Sequence, residues 1–485
     1  MTQPSVVQTE EVQEVQDKTD SDGTRIDKLM VRPVKDGHHN VTVKYTNVFE
    51  DFHKEVLEFD PELIAMSCTE DMFRLGIQLL KKTRYLKIPT LAGGVFPTFA
   101  PKLALSYDEI DIVCKGEGED ALTELCKRLE QKKSIDDIGG LWIKKKNGEL
   151  VANPPKMVDM DENPLIDVSM FEEARFYRPM MGKTWRMFPV ETHRGCPYKC
   201  AYCNSPSQMA MYKLEQNKSF LRRKNFDNMR RELLFYKNEM KANFLSFWAD
   251  TFFSWTRKDF ETFAELYQEI QLPFWCQTRP ETINEHRVKT LKKMGVARIA
   301  FGIEHGNEKF RAKYLDRKMS NEIITEGIKT VLREEVPVSV NNMIGFPYET
   351  RELAFDTIRL NKTFGAPEIV DNNSYPFTPF TGTPLRKLCE ELGYVKETDI
   401  VNSVMSQGSL LNMPQFSGEE VDGLTKTFNM YVKFPEDRWD EIRIAEKNTK
   451  EGNKKFNELK DEFVETFWKD GIPLPDFHDL HASLN

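Results

Sequence analysis

No run of 18 or more apolar residues occurs in the 485-residue chain, so no segment reads as a membrane-spanning helix. The first 25 residues also lack the apolar stretch of a secretory signal, and the chain reads as soluble and cytoplasmic. Positive charge is not in excess. Lys plus Arg total 68 against 77 Asp plus Glu, a net charge of −9 that disfavours a general nucleic-acid binder or a polybasic membrane-surface protein. No RNA-binding module is recognisable either. Cysteine is scarce: eight residues, too few for a disulfide framework in a chain this long. Glycine and proline, 25 each, are near ordinary usage, which excludes collagen-like and wholly disordered chains.

What is present is patterned. Residues 1–25 carry acidic residues and no aromatics, and are expected to form a disordered acidic tail. Over 26–150, strand-like runs (VTVKYTNV, ELIAMSC, IPTLAGG, IDIVC) alternate with helical stretches, the pattern of a parallel sheet covered on both faces. This block ends in two strand-like runs around Asn147-Gly148, a strong hairpin signal. Residues 151–186, rich in proline, read as a linker. From 187 to 400, six strand candidates (MFPVETH, ANFLSFWA, PFWCQTR, VARIAFGIE, VPVSVNNMIG, PEIVDNNSY) alternate with helices. That spacing fits a partial or complete parallel barrel better than a three-layer sheet, without deciding between them. A helical pattern sets in near Leu385 and defines a C-terminal region, 401–485, in which Lys433 to Glu451 read as a solvated helix face.

The sharpest signal is HRGCPYKCAYCNSP, residues 193–206, directly after a strand-like run. Cys196, Cys200 and Cys203 lie within eight residues, and no histidine follows at the spacing that would complete a zinc finger. A four-iron, four-sulfur cube held by three cysteines would keep one iron open for a small ligand.

The CxxxCxxC spacing, with an aromatic residue before the last cysteine, resembles the cluster motif of the radical S-adenosylmethionine superfamily. The resemblance implies a 4Fe-4S cluster on Cys196, Cys200 and Cys203, S-adenosylmethionine chelated by the open iron, and Tyr202 against the adenine. It also implies reductive cleavage to a 5′-deoxyadenosyl radical, with the protein supplying orientation and exclusion of water. Later segments resemble strand ends of the branch that carries a cobalamin domain: FWADTF with Asp250, Arg279 after WCQT, Glu304 in AFGIEHG, and Gly345 in MIGFPYET. Arg279 would meet the methionine carboxylate, Glu304 an amino group or ribose hydroxyl, and Gly345 would let backbone approach the adenosine. His193 is expected to order the cluster loop, and His305 to be more a packing residue than a ligand.

The N-terminal block resembles the cobalamin-binding domain of the same branch, through FDPELIAMSCTEDMF, IPTLAGGVFPTFAPK and IDIVCKGEGEDALTEL. Ser67, Gly93, Gly94 and Gly116 are the positions it implies for the corrin edge. The match departs at the start. Too little chain precedes VTVKYTNV for a further strand and helix, and Asp51-Phe52-His53 opens a D-x-H-x-x-G motif in which Val56 replaces the glycine. The Gly116 turn also suits a plain acidic helix start.

The expected architecture is α/β: a Rossmann-like N-terminal parallel sheet, a partial (β/α)6 barrel and a helical C-terminal extension. The expected function is cobalamin-dependent methyl transfer to an unactivated carbon of a small molecule, with electrons from flavodoxin or ferredoxin. Radical ring formation or rearrangement without methyl transfer is the alternative enzyme class, and a non-catalytic iron-sulfur protein the alternative outside catalysis.

Overall fold

The computed structural model describes residues 25–33, 46–401 and 408–469. The expected tail therefore lies almost wholly outside the described residues, as does most of VTVKYTNV. Val48, the last residue of that run, begins a helix instead. The Asn47 side chain accepts from the amides of Phe49 and Glu50 and so caps Val48–Phe59. His53 lies on this helix, half-buried and bonded to the Tyr85 hydroxyl at 2.7 Å.

The first sheet contains β1 (Ile64–Ser67), β2 (Thr90–Gly93), β3 (Ile112–Cys114), β4 (Leu141–Lys144) and β5 (Leu150–Ala152), in that order. β1 to β3 pair in parallel, and β4 and β5 form the antiparallel hairpin around Asn147-Gly148. β2 and β3 are buried throughout because one apolar cluster built on Phe73, Phe96 and Val113 covers one face and another, on Leu125 and Leu141, covers the other.

The second sheet runs β14-β13-β12-β11-β10-β7-β6. Its six parallel strands are β7 (Lys183–Val190), β10 (Phe244–Phe247), β11 (Phe274–Thr278), β12 (Val296–Glu304), β13 (Val338–Ile344) and β14 (Val370–Pro376). This is the expected partial (β/α)6 arrangement. β6 (Tyr177–Met180), inside the expected linker, adds an antiparallel edge strand, where Pro179 is tolerated because an edge has no second partner. Alternation along the strands sorts the side chains. Phe188, Phe247, Phe274, Phe301 and Val340 join the main core beneath the helices. Met187, Phe244 and Ala297, with Trp185 and Trp275 packed on them, fill the interior near the strands' amino ends.

The C-terminal helices Gly418–Lys433, Trp439–Glu446 and Lys450–Phe467 bury Phe428, Tyr431, Phe434, Phe456 and Phe463 in one core with Phe346 and Phe377. Lys433 departs from the solvated reading: its ammonium donates to the carbonyls of Pro367 and Val370, and burial lowers its pKa to about 8. Residues 25–33 pack on this side of the molecule, with Leu29 inside the same core. Arg32 donates to the Glu368 carbonyl at 2.9 Å and reaches Asp371, which also takes Arg298 Nη2 at 2.5 Å. Burial would raise the Asp371 pKa, but Arg298 and Arg32 hold its carboxyl below the ordinary range. Among the described residues, no helix is long and apolar enough to cross a membrane.

Replacing Asp371 by Ala removes the carboxylate shared by two buried guanidinium groups and should cost about 3–5 kcal/mol. A thermal-melt comparison checks this, and an unchanged midpoint would contradict it.

Candidate active site

The cysteine loop leaves the barrel through β8 (His193–Arg194), which pairs antiparallel with β9 (Arg222–Arg223). Its middle is held by backbone bonds from Ala201 N to Leu315 O at 3.1 Å and from Leu385 N to Ala201 O at 3.0 Å. Helix Ser205–Gln216 takes the chain away. Cys196, Cys200 and Cys203 lie close enough for Cys196 to feel Cys200, and Cys203 to feel both others, electrostatically. Burial pushes the Cys196 thiol to about 11 and that of Cys203 to about 12, so metal binding there displaces protons. Among the described residues, no three or more metal-ligating side chains gather as a group that could hold a single ion. A cube makes a different demand, since each thiolate binds its own iron. This soft, all-sulfur donor set fits such a cluster.

Two arginines converge on Cys200. Arg279, at the end of β11, donates to its Sγ at 3.1 Å, binds Glu281 at 2.6 Å and lies 3.7 Å from the centre of the Tyr198 ring. Arg317 lies 3.8 Å from the same sulfur and donates to the Tyr202 hydroxyl at 2.9 Å. It also pairs with Glu304 at 3.7 Å. Burial raises the Glu304 pKa while Arg317 and Tyr202 oppose that rise. Arg317 was not singled out from the sequence; it stands 13 residues beyond Glu304 on no strand, and only folding brings it to the cysteines.

Asp250 follows β10, exposed, and accepts from Ser205 Oγ at 2.8 Å next to the Cys203 thiol. His193 is buried behind the loop, its Nε2 3.0 Å from the Thr251 carbonyl and its Nδ1 3.0 Å from the Thr192 hydroxyl. The Ser254 hydroxyl also lies 2.6 Å from Nε2, so both ring nitrogens are engaged by neighbouring polar groups. At Gly345, φ is +91° and an added Cβ would meet Val421 at 3.0 Å, so a C-terminal helix is what approaches this glycine in the structure. Glu349, in the same MIGFPYET segment, accepts from the amides of Gly345 and Phe346 and faces His305 Nε2 at 3.1 Å. His305 is fully buried and stacked on Phe310, which is a packing role. Glu349 lay within the quoted motif, but its amide contacts required the loop conformation.

Above the apolar fill, Gln277, Gly302, Asn341, Met343 and Tyr375 are partly exposed on the inward-facing positions, and Trp248 at the end of β10 is 59% exposed. The barrel interior is thus open toward the rim that carries the cysteine loop.

The first sheet meets this rim. Ser67 ends β1 and is exposed; Gly93 ends β2 and Gly94 follows it; Gly116 stands two residues past β3. Gly116, with φ +89°, faces the Tyr212 hydroxyl and Pro155, so its missing side chain makes room for Tyr212. Glu117 donates its amide to that hydroxyl at 2.9 Å, and its carboxylate takes both Arg194 and Arg222.

A three-cysteine loop at the carboxyl end of a parallel barrel strand, faced by a second parallel sheet, defines an iron-sulfur enzyme with a second cofactor-binding domain. Comparison with known proteins agrees. Residues 190–360 match the model of the Radical SAM superfamily, and residues 17–126 match that of the B12 binding domain. An uncharacterized methyltransferase of Pyrococcus horikoshii is 25% identical over 399 residues, covering 80% of this chain and 81% of that protein. The cobalamin-dependent S-adenosylmethionine radical enzyme OxsB superposes with a TM-score of 0.58 at 15% identity, over 86% of this chain and 64% of that one. The radical S-adenosylmethionine methyltransferase TsrM of Kitasatospora setae gives 0.55 at 17% identity, over 72% of this chain and 67% of that one. These structural likenesses bear on the fold, and the chain spans about two thirds of each solved protein. The chain therefore carries a Radical SAM superfamily segment over residues 190–360, preceded by a B12 binding domain segment over residues 17–126.

Burial lowers the His193 pKa below its usual value. Its contribution to stability is therefore present above pH about 6.5 and lost as pH falls through the folded value. Melts between pH 7.5 and 5.5 should show a shallower loss for His193→Gln than for the wild type; equal slopes would contradict the assignment.

Proposed function

We propose that this chain is a cobalamin-dependent radical S-adenosylmethionine methyltransferase acting on an unactivated carbon of a small molecule, with electrons from a flavodoxin or ferredoxin. The observation that carries this reading is the cysteine loop at the barrel rim, pinned directly against the carboxyl edge of the N-terminal parallel sheet. When bound, the cluster with S-adenosylmethionine supplies a carbon-centred radical, and cobalamin supplies a transferable methyl group.

The chain's own residues then have distinct tasks. Cys196, Cys200 and Cys203 hold the cluster. Arg279 and Arg317 place positive charge beside Cys200 and present donors toward a carboxylate, while Glu304 accepts from an amino or ribose hydroxyl group. Tyr202 flanks the adenosine, Gly345 gives up its side chain to the C-terminal helix packed on it, and Asp250 fixes Ser205 beside Cys203. Ser67, Gly93 and Gly94 form the corrin-facing edge, with Gly116 shaping the turn beside it. The partly exposed inward positions from Trp248 to Tyr375 receive the substrate.

Reconstituted without oxygen, the protein should hold one four-iron cluster and release 5′-deoxyadenosine under dithionite. Replacing Cys196, Cys200 and Cys203 together by Ala should abolish both iron binding and release; retention of either overturns the assignment. Label from the methyl of S-adenosylmethionine should appear in product. An unlabelled product would assign ring formation or rearrangement, and a loaded cluster without deoxyadenosine release would assign a non-catalytic iron-sulfur protein.

Hydroxocobalamin should remain with the wild type after desalting. Ser67→Trp, which adds bulk at an exposed position of the β1 end, should lower the retained corrin band at least several-fold with iron content unchanged. Full retention would remove Ser67 from the corrin edge. Gly94 is a poorer probe, because a side chain there would strike the Cys68 backbone.

A further inference from the structure

The family resemblance gives the cysteines and the N-terminal sheet separate tasks, and neither task accounts for Arg194. This residue stands two positions before Cys196, on β8. Its side chain is only 18% exposed and carries three carboxylates: Glu191 within its own loop at 3.0 Å, Glu119 at 2.6 Å, and Glu117. Glu117 lies in the turn after β3, at the carboxyl edge of the first sheet, and Glu119 opens the helix Glu119–Glu130 that follows it.

Glu117 is the more enclosed partner, 4% exposed at the side chain, and both its carboxylate oxygens are engaged. One oxygen takes Arg194 and Arg222, and the other accepts from the Val158 amide at 2.9 Å. Arg222 belongs to β9, the partner strand of β8, and also donates to the Val158 carbonyl at 3.1 Å. Tyr212, on the helix leaving the cysteine loop, closes the arrangement from the other side through its bond to the Glu117 amide. A surface ion pair is worth little, but here one carboxylate is shared by two guanidiniums, with backbone bonds filling the remainder, away from water.

The geometry points to Arg194 and Glu117 as positioning residues: a buried latch that sets the corrin edge of the N-terminal sheet at a fixed place relative to the cysteine loop. This inference rests on the functional reading above for what the latch serves, but not for its existence. Two cofactors held by separate domains act on one substrate only while their separation and facing are maintained, and small displacements are costly. The connecting chain, residues 153–176, contains no strand or α-helix and supplies no such constraint. The latch does, through side chains that begin two residues from Cys196.

Hydrogen exchange of the full-length protein after cluster reconstitution, together with hydroxocobalamin retention, tests this. Arg194→Gln and Glu117→Gln should each speed amide exchange roughly tenfold or more in segments 115–120 and 193–200, as local opening becomes easier. The double variant should speed exchange by clearly less than the two single effects combined, because both changes remove the shared Arg194–Glu117 contact. Retained corrin should fall in all three to a similar level while iron content stays near that of the wild type. Lys has a compact ammonium in place of the wide planar guanidinium fork that meets Glu117, Glu119 and Glu191 from different sides, so Arg194→Lys should not restore retention. A merely structural role would lower the melting temperature and accelerate exchange throughout the chain.

Additive effects of the two substitutions, wild-type exchange in both segments, or loss of iron together with corrin would overturn the latch. If the wild type itself retains no corrin, the cobalamin reading fails, and the exchange measurement still decides the latch.

Discussion

Parallel pairing from β7 to β14 forces every connection to return outside the sheet, so helices cover one face and all six strands deliver their carboxyl ends to one rim. The rest of the molecule depends on that constraint. The cysteine loop, Asp250, Arg279, Glu304 and Gly345 come from strand ends far apart in the chain and share a neighbourhood only because the strands run the same way. Side-chain alternation then divides the barrel: aromatic residues fill its amino end, and polar, partly exposed positions open toward the rim.

Charge is arranged differently at the two ends. Near the amino end, Arg32 and Arg298 share Asp371, tying residues 25–33 to the barrel in a site that does structural work. At the rim, Arg279 and Arg317 each pair with a carboxylate, Glu281 and Glu304, and both also reach the Cys200 sulfur, which brings positive charge to the cysteine loop. A thiolate-bound cluster is negatively charged, so an arginine pair beside Cys200 suits it electrostatically.

The junction between the two sheets follows from the same economy of buried charge. Each charged group there has a partner from the other sheet's side: Arg194 and Arg222 meet Glu117, Glu119 meets Arg194, and Lys115 meets Glu215. Glu70 adds a second anchor. It is buried, accepts from the amides of Thr381 and Val401, and burial raises its pKa against those bonds. The N-terminal sheet is thus held at two separate points of the barrel rim.

The sequence alone determined the strand and helix alternation, because periodicity of two or 3.6 is a local property of the chain, and it located the cysteine triad, because its ligands lie within eight residues. It likewise marked the hairpin at Asn147-Gly148, whose backbone preference is local. Helix capping by Asn47 overrode the strand-like look of Val48, and the proline content of 151–186 concealed β6, which an edge position permits. Arg317, Glu349 and the partners of Arg194 were decided by tertiary structure alone. Their chemistry lies in which buried groups face one another across more than one element, and no spacing within a segment encodes that. Gly116 shows the same division: its turn was legible, but the Tyr212 ring that requires a glycine there comes from 96 residues further along the chain.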